Sequence, residues 1–520
     1  MQKHPAQSYI EADVQPPRIG WRRNTKPHPF KLYHNSEQIR CTYEAFETQE
    51  AQIESECERA QIGQMLADIY GLTCQSHIIK EESPFFQVPF ARRNQNASAF
   101  HQTLLRPIPS GGVLFPSELY VLVDPGQAFP AGLYHYDAAH HALDILRQGD
   151  YAPLLQAFLA HPDDIPSGYA FLLSCFFWKD GFKYGAFSYR LQGLDIGTVI
   201  GQSLIVSDHY NREATIHYQF LDKAIDELLG LDPLHESIYA VMTLAPTPHA
   251  AANDSTVPAA QEPIQDEVLP EAEQLESVAY WPLVEEVHRA SLIESRSAFR
   301  PLHSLPPIKR AGRVAGWALP LTDAAPDLWQ ARYQRRSAAG FRPVSLSEQQ
   351  LAQLLAVSLP GTRNDLDRRS DFLLHTLLYC VVNRVQHVPS GIYVYSPEEQ
   401  RLALVEAKEV QSRFQELLGW ANFNMFQMSV CLVPVANYQD GFQVYGDRWY
   451  RMQNMEAGII AQRLYLAAAT LKLGCRANLG FPIAEMDKFL CLPENYTSLL
   501  QVLIAPEQAP PGHYAQSLLL

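Results

Sequence analysis

An α+β fold built twice within one polypeptide is what this sequence predicts, on three observations. One strand-turn-strand segment recurs without a gap, a second recurring segment leads into long helical runs, and helical and strand periodicities mix without repeated strand-helix-strand units. No GxGxxG follows a strand, so a doubly wound nucleotide fold is not expected.

The first repeat aligns LYVLVDPGQAFPAGLYHYD (residues 119–137) on LYCVVNRVQHVPSGIYVYS (378–396). Each reads as an alternating strand, a turn holding Pro-x-Gly and a short second strand. The second aligns DGFKYGAFSYR (180–190) on DGFQVYGDRWYR (440–451), with one extra residue in the later copy. Both run into helices with a glycine seven residues after the arginine, Gly197 and Gly458. A weaker pair, IGQMLADIYGLT near Met65 and LAQLLAVSLPGT near Leu354, predicts a helix early in each copy. The alanine-rich run 456–474 predicts a central helix buried on two sides and stopped by a glycine, with a counterpart over about 195–208.

These matches divide the chain into copy 1 (1–245), a bridge (246–327) and copy 2 (328–520). The length, 520 residues, exceeds what one ordinary hydrophobic core organises. Residues 247–273 have the composition of a solvated linker. WPLVEEVHRASLIE (281–294) reads as a packed helix, and proline-dotted PLHSLPPIKR as an extended strap after it. Copy 1 is longer than copy 2 over 74–105; PFFQVPF (84–90) there reads equally as a pocket rim or as a structural excursion.

Composition narrows the function. With 41 basic and 56 acidic residues the formal charge is −15, which argues against nucleic acid as a partner. No stretch reaches the length of a membrane helix, no secretory signal opens the chain, and the cytoplasm is the expected location. The eight cysteines show no CxxC pair and no cysteine-histidine cluster, so reduced, mostly buried thiols are expected, and no metal.

Four elements spread over both copies carry a resemblance. They are RRSAAGF (335–341), RPIPSGGVLFPSELYVLV (106–123) with GLYHYD as its sequel, FKYGAFSYR (182–190), and LKLGCRANLGF (471–481). Together they resemble the nitroreductase superfamily, specifically its SagB-like azoline dehydrogenase branch. The resemblance implies two nitroreductase-like domains fused as an intramolecular pseudo-dimer, FMN as cofactor, and oxidation of a thiazoline or oxazoline to the azole, with dioxygen reoxidising the flavin. It also implies a heterocycle-bearing peptide as substrate, leader-bound or carrier-bound, delivered by a synthetase or cyclodehydratase.

On that reading Arg335, Arg336 and Ser337 supply guanidinium groups and a hydroxyl for the flavin phosphate, Arg335 first if only one arginine serves. Arg106, Pro109, Ser110, Gly111 and Gly112 form a loop that comes close to the flavin ring, and Gly474, Arg476 and Gly480 a second loop after the central helix. Lys183 and Tyr184 are the catalytic pair the branch implies, Tyr184 as base or proton relay and Lys183 orienting it, or the reverse. Copy 2 has Val444 and Tyr445 at that place and copy 1 has no Arg-Arg-Ser, so one FMN per chain is expected, unless Arg22 and Arg23 clamp a second. Two other readings remain open: an NAD(P)H-dependent nitro or enone reductase, and a non-catalytic scaffold subunit of a biosynthetic complex.

Overall fold

The Pro-x-Gly turn folds the same hairpin in each copy. Ser117–Val123 pairs antiparallel with Gly132–Asp137, Val121 opposite Tyr134; Thr376–Val382 pairs with Gly391–Ser396, Cys380 opposite Tyr393. The Tyr134 hydroxyl donates to the Pro130 carbonyl at 2.6 Å and the Tyr393 hydroxyl to the Pro389 carbonyl at 2.8 Å. Each second strand then slips register against its next neighbour at the same point, after Leu133 and after Ile392. The structure, a computed structural model, describes residues 4–15, 27–34, 36–42, 53–79, 100–161, 168–246, 269–270, 281–308, 316–320, 325–418, 423–508 and 513–518. The segment 84–90, Arg22, Arg23 and most of the linker lie outside the described residues.

Each hairpin is the middle of a sheet. In copy 1 the order is Gln38–Arg40, Ala142–Gln148, Gly132–Asp137, Ser117–Val123, Tyr169–Phe176, Glu236–Pro246, Arg212–His217. Copy 2 has the same order: Gly316–Ala318, Arg401–Ala407, Gly391–Ser396, Thr376–Val382, Val430–Asn437, Gln501–Ala505, Gly474–Asn478. The copies also exchange strands. Arg363–Asn364 of copy 2 extends the first sheet beside Arg212–His217, and His513–Ser517 pairs with Cys74–Ile79 of copy 1.

Between the sheets run two long helices, Ser188–His209 and Arg448–Thr470, buried along nearly their whole length. One hydrophobic cluster embeds both helices and the inner faces of both sheets, and a separate cluster covers the outer face of each sheet. The helices touch backbone to backbone at Gly197 and Gly458: a Cβ built on Gly197 would stand 2.8 Å from the Gly458 Cα, and one on Gly458 2.7 Å from the Gly197 Cα. Only hydrogen fits there. The arginine that closes the second repeat works alike in both copies, Arg190 donating to the Leu499 carbonyl at 2.9 Å and Arg451 to the Ile238 carbonyl at 2.6 Å, each across to the other copy. Gly197→Val is expected to cost about 1–3 kcal/mol or more by forcing the helices apart. Urea denaturation against Gly340→Ala, whose Cβ would meet nothing closer than 3.9 Å, measures it.

Two expectations need correction. The central helices begin at Ser188 and Arg448, well before the apolar runs, because the polar and aromatic residues of their first turns are buried too: Tyr189 stacks on Tyr450 of the other copy, and Trp449 packs on Tyr445 of its own. The extra residue supposed in the second repeat is also not there. Tyr169–Phe176, Phe177–Tyr184 and Gly185 correspond in order to Val430–Asn437, Tyr438–Tyr445 and Gly446 with equal lengths, so the Asp-Gly-Phe strings are one residue out of register and Gly441 stands where copy 1 has Asp180.

In the bridge, Pro282–Ser291 is a helix, and residues 299–308 form a strap that is not extended throughout but turns at Leu302 and His303, bonded to copy 2 through His303 N to the Leu366 carbonyl and Ile308 N to the Leu374 carbonyl. No disulfide joins any of the eight cysteines, and five of them are buried. No helix among the described residues is long and apolar enough to cross a membrane.

Candidate active site

Pieces of both copies enclose a cavity of about 370 Å³. Copy 1 lines it with Pro109, Ser110, Gly111 and Gly112 and with Lys183 and Tyr184; copy 2 lines it with Ser337, Arg476 and Gly480. The two central helices form its floor, where Asp195, Gly458 and Tyr465 face it.

Local conformation explains the glycines. Gly112 has φ +67°, the left-handed region that favours glycine, and a Cβ on it would collide with the Lys183 amine and stand 2.6 Å from the Tyr184 hydroxyl. A Cβ on Gly111 would stand 2.9 Å from Leu191. Lys183 and Tyr184 end the helix Phe177–Tyr184, and Gly185, at φ 57°, turns the chain into the central helix. The Lys183 ammonium lies 4.8 Å from the centre of the Tyr184 ring. Burial, with Asp180 and Asp195 nearby, pushes the Tyr184 phenol well above its ordinary value. Tyr184 is therefore a neutral phenol through the neutral range, able to donate or relay a proton rather than stand ionised as a base.

Asp195 holds the copy 1 loop. Its carboxylate accepts from Ser110 Oγ at 2.7 Å and from the Gly111 N–H at 3.3 Å, and Ser110 Oγ in turn accepts from the Phe115 N–H at 2.9 Å. On the copy 2 side, the Tyr465 hydroxyl accepts from the Ala477 N–H at 2.8 Å and lies 3.2 Å from Ser337 Oγ, joining the two copy 2 segments. Arg476 donates to the Ala338 carbonyl at 3.1 Å.

The other sequence-predicted residues sit outside this cavity. Arg335 is buried and spends its guanidinium on three consecutive carbonyls of copy 1, Arg106 at 3.1 Å, Pro107 at 2.7 Å and Ile108 at 3.2 Å; burial lowers its pKa to about 10. It clamps the copy 1 loop from the other copy. Arg106 donates to the Tyr70 carbonyl at 2.9 Å and lies over the Tyr70 ring. Gly474 packs where a Cβ would come within 3.0 Å of Ala338 and Glu507. Arg336 is exposed and lines, with Lys472, a second cavity of about 400 Å³ that shares Tyr465 with the first. Asp195 and Tyr465 are the residues sequence reasoning missed as site residues. The available signal was the acid two positions before the helix-crossing glycine in both copies, Asp195 and Glu456.

The reciprocal position is filled by this chain's own groups. After the strand Arg212–His217, the Tyr218 and Gln219 N–H groups donate to the Asp365 carboxylate at 2.9 and 2.7 Å. From the strap, the Arg300 N–H donates to Gln219 Oε1 at 2.7 Å and its guanidinium to the Val444 carbonyl at 2.9 Å. The strap thus stands beside Val444 and Tyr445, where copy 1 has Lys183 and Tyr184 facing a cavity.

The profile of the nitroreductase family matches residues 333–505. That match lies within copy 2 and covers about a third of the chain. A protein of Methanocaldococcus jannaschii named as a nitroreductase is 32% identical over 130 residues, 24% of this chain and 63% of that one. The trifolitoxin-processing protein TfxB of Rhizobium leguminosarum bv. trifolii is 30% identical over 148 residues, 27% of this chain and 40% of that one. This chain therefore spans less than two thirds of either relative. A crystal structure from Anabaena variabilis, also named as a nitroreductase, superposes over 98% of this chain and 100% of its own with a TM-score of 0.76 at 21% identity. The nitroreductase fold seen in one matched segment is thus shared, as a fold, along the whole two-copy chain.

Proposed function

We propose that the chain is an FMN-dependent oxidoreductase with one flavin site, assembled across the two copies. The observation that carries this is the cavity in which the copy 1 pieces Ser110–Gly112 and Lys183–Tyr184 face the copy 2 pieces Ser337 and Arg476. The donor set suits the cofactor: side-chain-free backbone at Gly111 and Gly112 for a planar ring, and the Ser337 hydroxyl and Arg476 guanidinium, with Arg336 and Lys472 in the adjoining cavity, for a phosphate. When bound, FMN supplies hydride acceptance or donation. The protein's own groups then handle the accompanying proton, and Tyr184, a buried neutral phenol beside the Lys183 ammonium, is the one placed to move it.

Two substrates fit that machinery. Reduction of a nitro or enone group with NAD(P)H as donor is favoured by the matched family and by the two relatives named as nitroreductases. Oxidation of a thiazoline or oxazoline in a peptide, leader-bound or carrier-bound, is favoured by the Lys183–Tyr184 pair lying in the cavity and by the trifolitoxin-processing relative. Anaerobic mixing separates them. Bleaching of bound flavin by NAD(P)H coupled to loss of a nitroaromatic establishes the first; bleaching by a thiazoline peptide, with a product two hydrogens lighter, establishes the second. A chain with no bound flavin and no FMN-raised melting transition returns the scaffold reading.

The filled reciprocal position gives a stoichiometry. Flavin released by denaturation of a fully reconstituted sample is expected at one per chain, and a ratio near two defeats the cross-copy site. Arg335→Ala is expected to lower that occupancy through loosening of the Arg106–Ile108 carbonyls it clamps. Competition by inorganic phosphate distinguishes this from a lost phosphate contact: phosphate is expected to displace FMN at the same concentration in Arg335→Ala as in wild type if Arg335 holds only the loop, and at a higher one if it held the phosphate.

A further inference from the structure

Asp180 and Asp195 are buried under the cavity, 0% and 5% exposed, and their surroundings differ sharply. Asp195 accepts from Ser110 Oγ and Gly111 N–H. Both Asp180 carboxyl oxygens are buried with no hydrogen-bond partner among the described residues. An ionised carboxylate buried without a donor costs several kcal/mol, about the price of an uncompensated charge in the interior, whereas a protonated one costs far less. The pair's negative charge therefore belongs on Asp195 and its proton on Asp180. Asp180 sits one helical turn before Lys183 and Tyr184, so its side chain shares their face of the helix. Copy 2 has Gly441 at the corresponding place, so this carboxyl exists only in the copy that carries Lys183.

We propose that Asp180 and Asp195 form a carboxyl pair with divided roles: Asp180 stays a neutral acid beside Lys183 and Tyr184, and Asp195 carries the pair's single charge and uses it to position the Ser110–Gly111 loop. Asp195 is thus a positioning residue that acts through Ser110 and Gly111.

Burial, reinforced for Asp180 by the charge of Asp195, raises both groups above the ordinary carboxylate range, and the bonds from Ser110 and Gly111 pull Asp195 partly back. The other ionisable neighbours do not undo this. Lys179 on the same helix is paired with Glu118, Glu236 on the neighbouring sheet with Lys31, and Arg451 of the copy 2 central helix with Asp222. Cys175 on the preceding strand and Tyr70 and Tyr184 are buried neutral groups, their own values raised by burial. Lys183 favours an ionised Asp180, but less than burial and the charge of Asp195 oppose it. Protonation of Asp195 replaces two hydrogen bonds to a carboxylate by bonds to a neutral acid, roughly half as strong, so the loop loosens as pH falls through the Asp195 titration.

Infrared spectra of the full chain and its variants over a pH series, with no substrate added, test the division of roles. In wild-type-minus-variant spectra taken above the Asp195 titration, the carbonyl band of a protonated acid is expected for Asp180→Asn and not for Asp195→Asn. The carboxylate titration that disappears in Asp195→Asn is expected to keep its midpoint in Asp180→Asn, since a neutral amide then replaces a neutral acid. Absence of that band from the Asp180→Asn difference overturns the proposal. So does an Asp195 midpoint that drops by about one unit or more, the response to losing a charged neighbour. Asp180→Gly, the residue copy 2 has at this place, is the second variant if the asparagine chain does not fold. The positioning role rests on the flavin reading and has its own arm: the pH profile of kcat/KM is expected to lose its acid limb in Asp195→Asn and regain it in Asp195→Glu. A profile unchanged in Asp195→Asn overturns that role. Absence of flavin and of turnover in the wild type would defeat the flavin reading, and the infrared arms would still decide the pair.

Discussion

Tyr184→Phe and Lys183→Ala are each expected to lower turnover by roughly 10²–10⁴, the range for a lost proton-transfer participant, while bound flavin stays at wild-type content. The cavity places both side chains opposite the copy 2 loop and against Gly112, and neither contributes to the Ser337 and Arg476 side assigned to the phosphate. Loss of the Tyr184 hydroxyl removes a proton carrier and leaves the ring, which still packs 6.1 Å from Phe187, so the fold has little reason to change. The pH dependence has a definite sign. A phenol raised above its ordinary value keeps its proton as pH rises through neutrality, so the Tyr184 contribution is lost only on the alkaline side, and the acid limb belongs to other groups. Steady-state rates with flavin content measured on the same samples check this. Wild-type rates in both variants would remove the pair from the reaction, and loss of flavin in step with rate would make it a binding element.

Asp222→Ala is expected to destabilise the chain by about 3–5 kcal/mol, the largest stability effect anticipated for a single substitution. Asp222 is fully buried and accepts from Arg448 at 2.6 and 2.9 Å, from Arg451 at 3.3 Å and from the Ile293 N–H at 2.7 Å. One carboxylate thus ties a copy 1 helix to the copy 2 central helix and to the bridge. Its removal leaves two guanidinium groups buried between the copies without a counter-charge. Arg448 shows what that involves, since burial already lowers its pKa and Asp222 is the main force opposing this. Chemical denaturation checks the size, and Asp222→Asn, which keeps the shape and loses the charge, is expected to fall between wild type and Ala. An Asp222→Ala midpoint equal to wild type would mean that water reaches the arginines.

The elements legible in the sequence are those whose signals are local. A two-residue strand period and a proline and a glycine at a turn are written in neighbouring positions, so the two hairpins could be read from the repeats, whereas Gly197 and Gly458 stood out only as equivalent positions and their contact belongs to the tertiary structure. The Ser110–Gly112 loop and Lys183–Tyr184 were named as one side of a site, and they do face one cavity together with Ser337, Arg476 and Gly480.

What the sequence by itself determined is therefore the α+β class, the duplication and part of the cavity's lining. Tertiary structure decided where each polar group finds its partner. Arg335 turns to three carbonyls of copy 1, Asp195 becomes the anchor of the Ser110 loop, Asp180 is left without a donor, and Asp365 and Arg300 fill the reciprocal position. The physical reason is distance along the chain. Strand alternation and turn conformation are set within a few residues, whereas a buried charge is satisfied by whatever the other copy brings to it, often more than a hundred residues away, and no local pattern encodes that meeting.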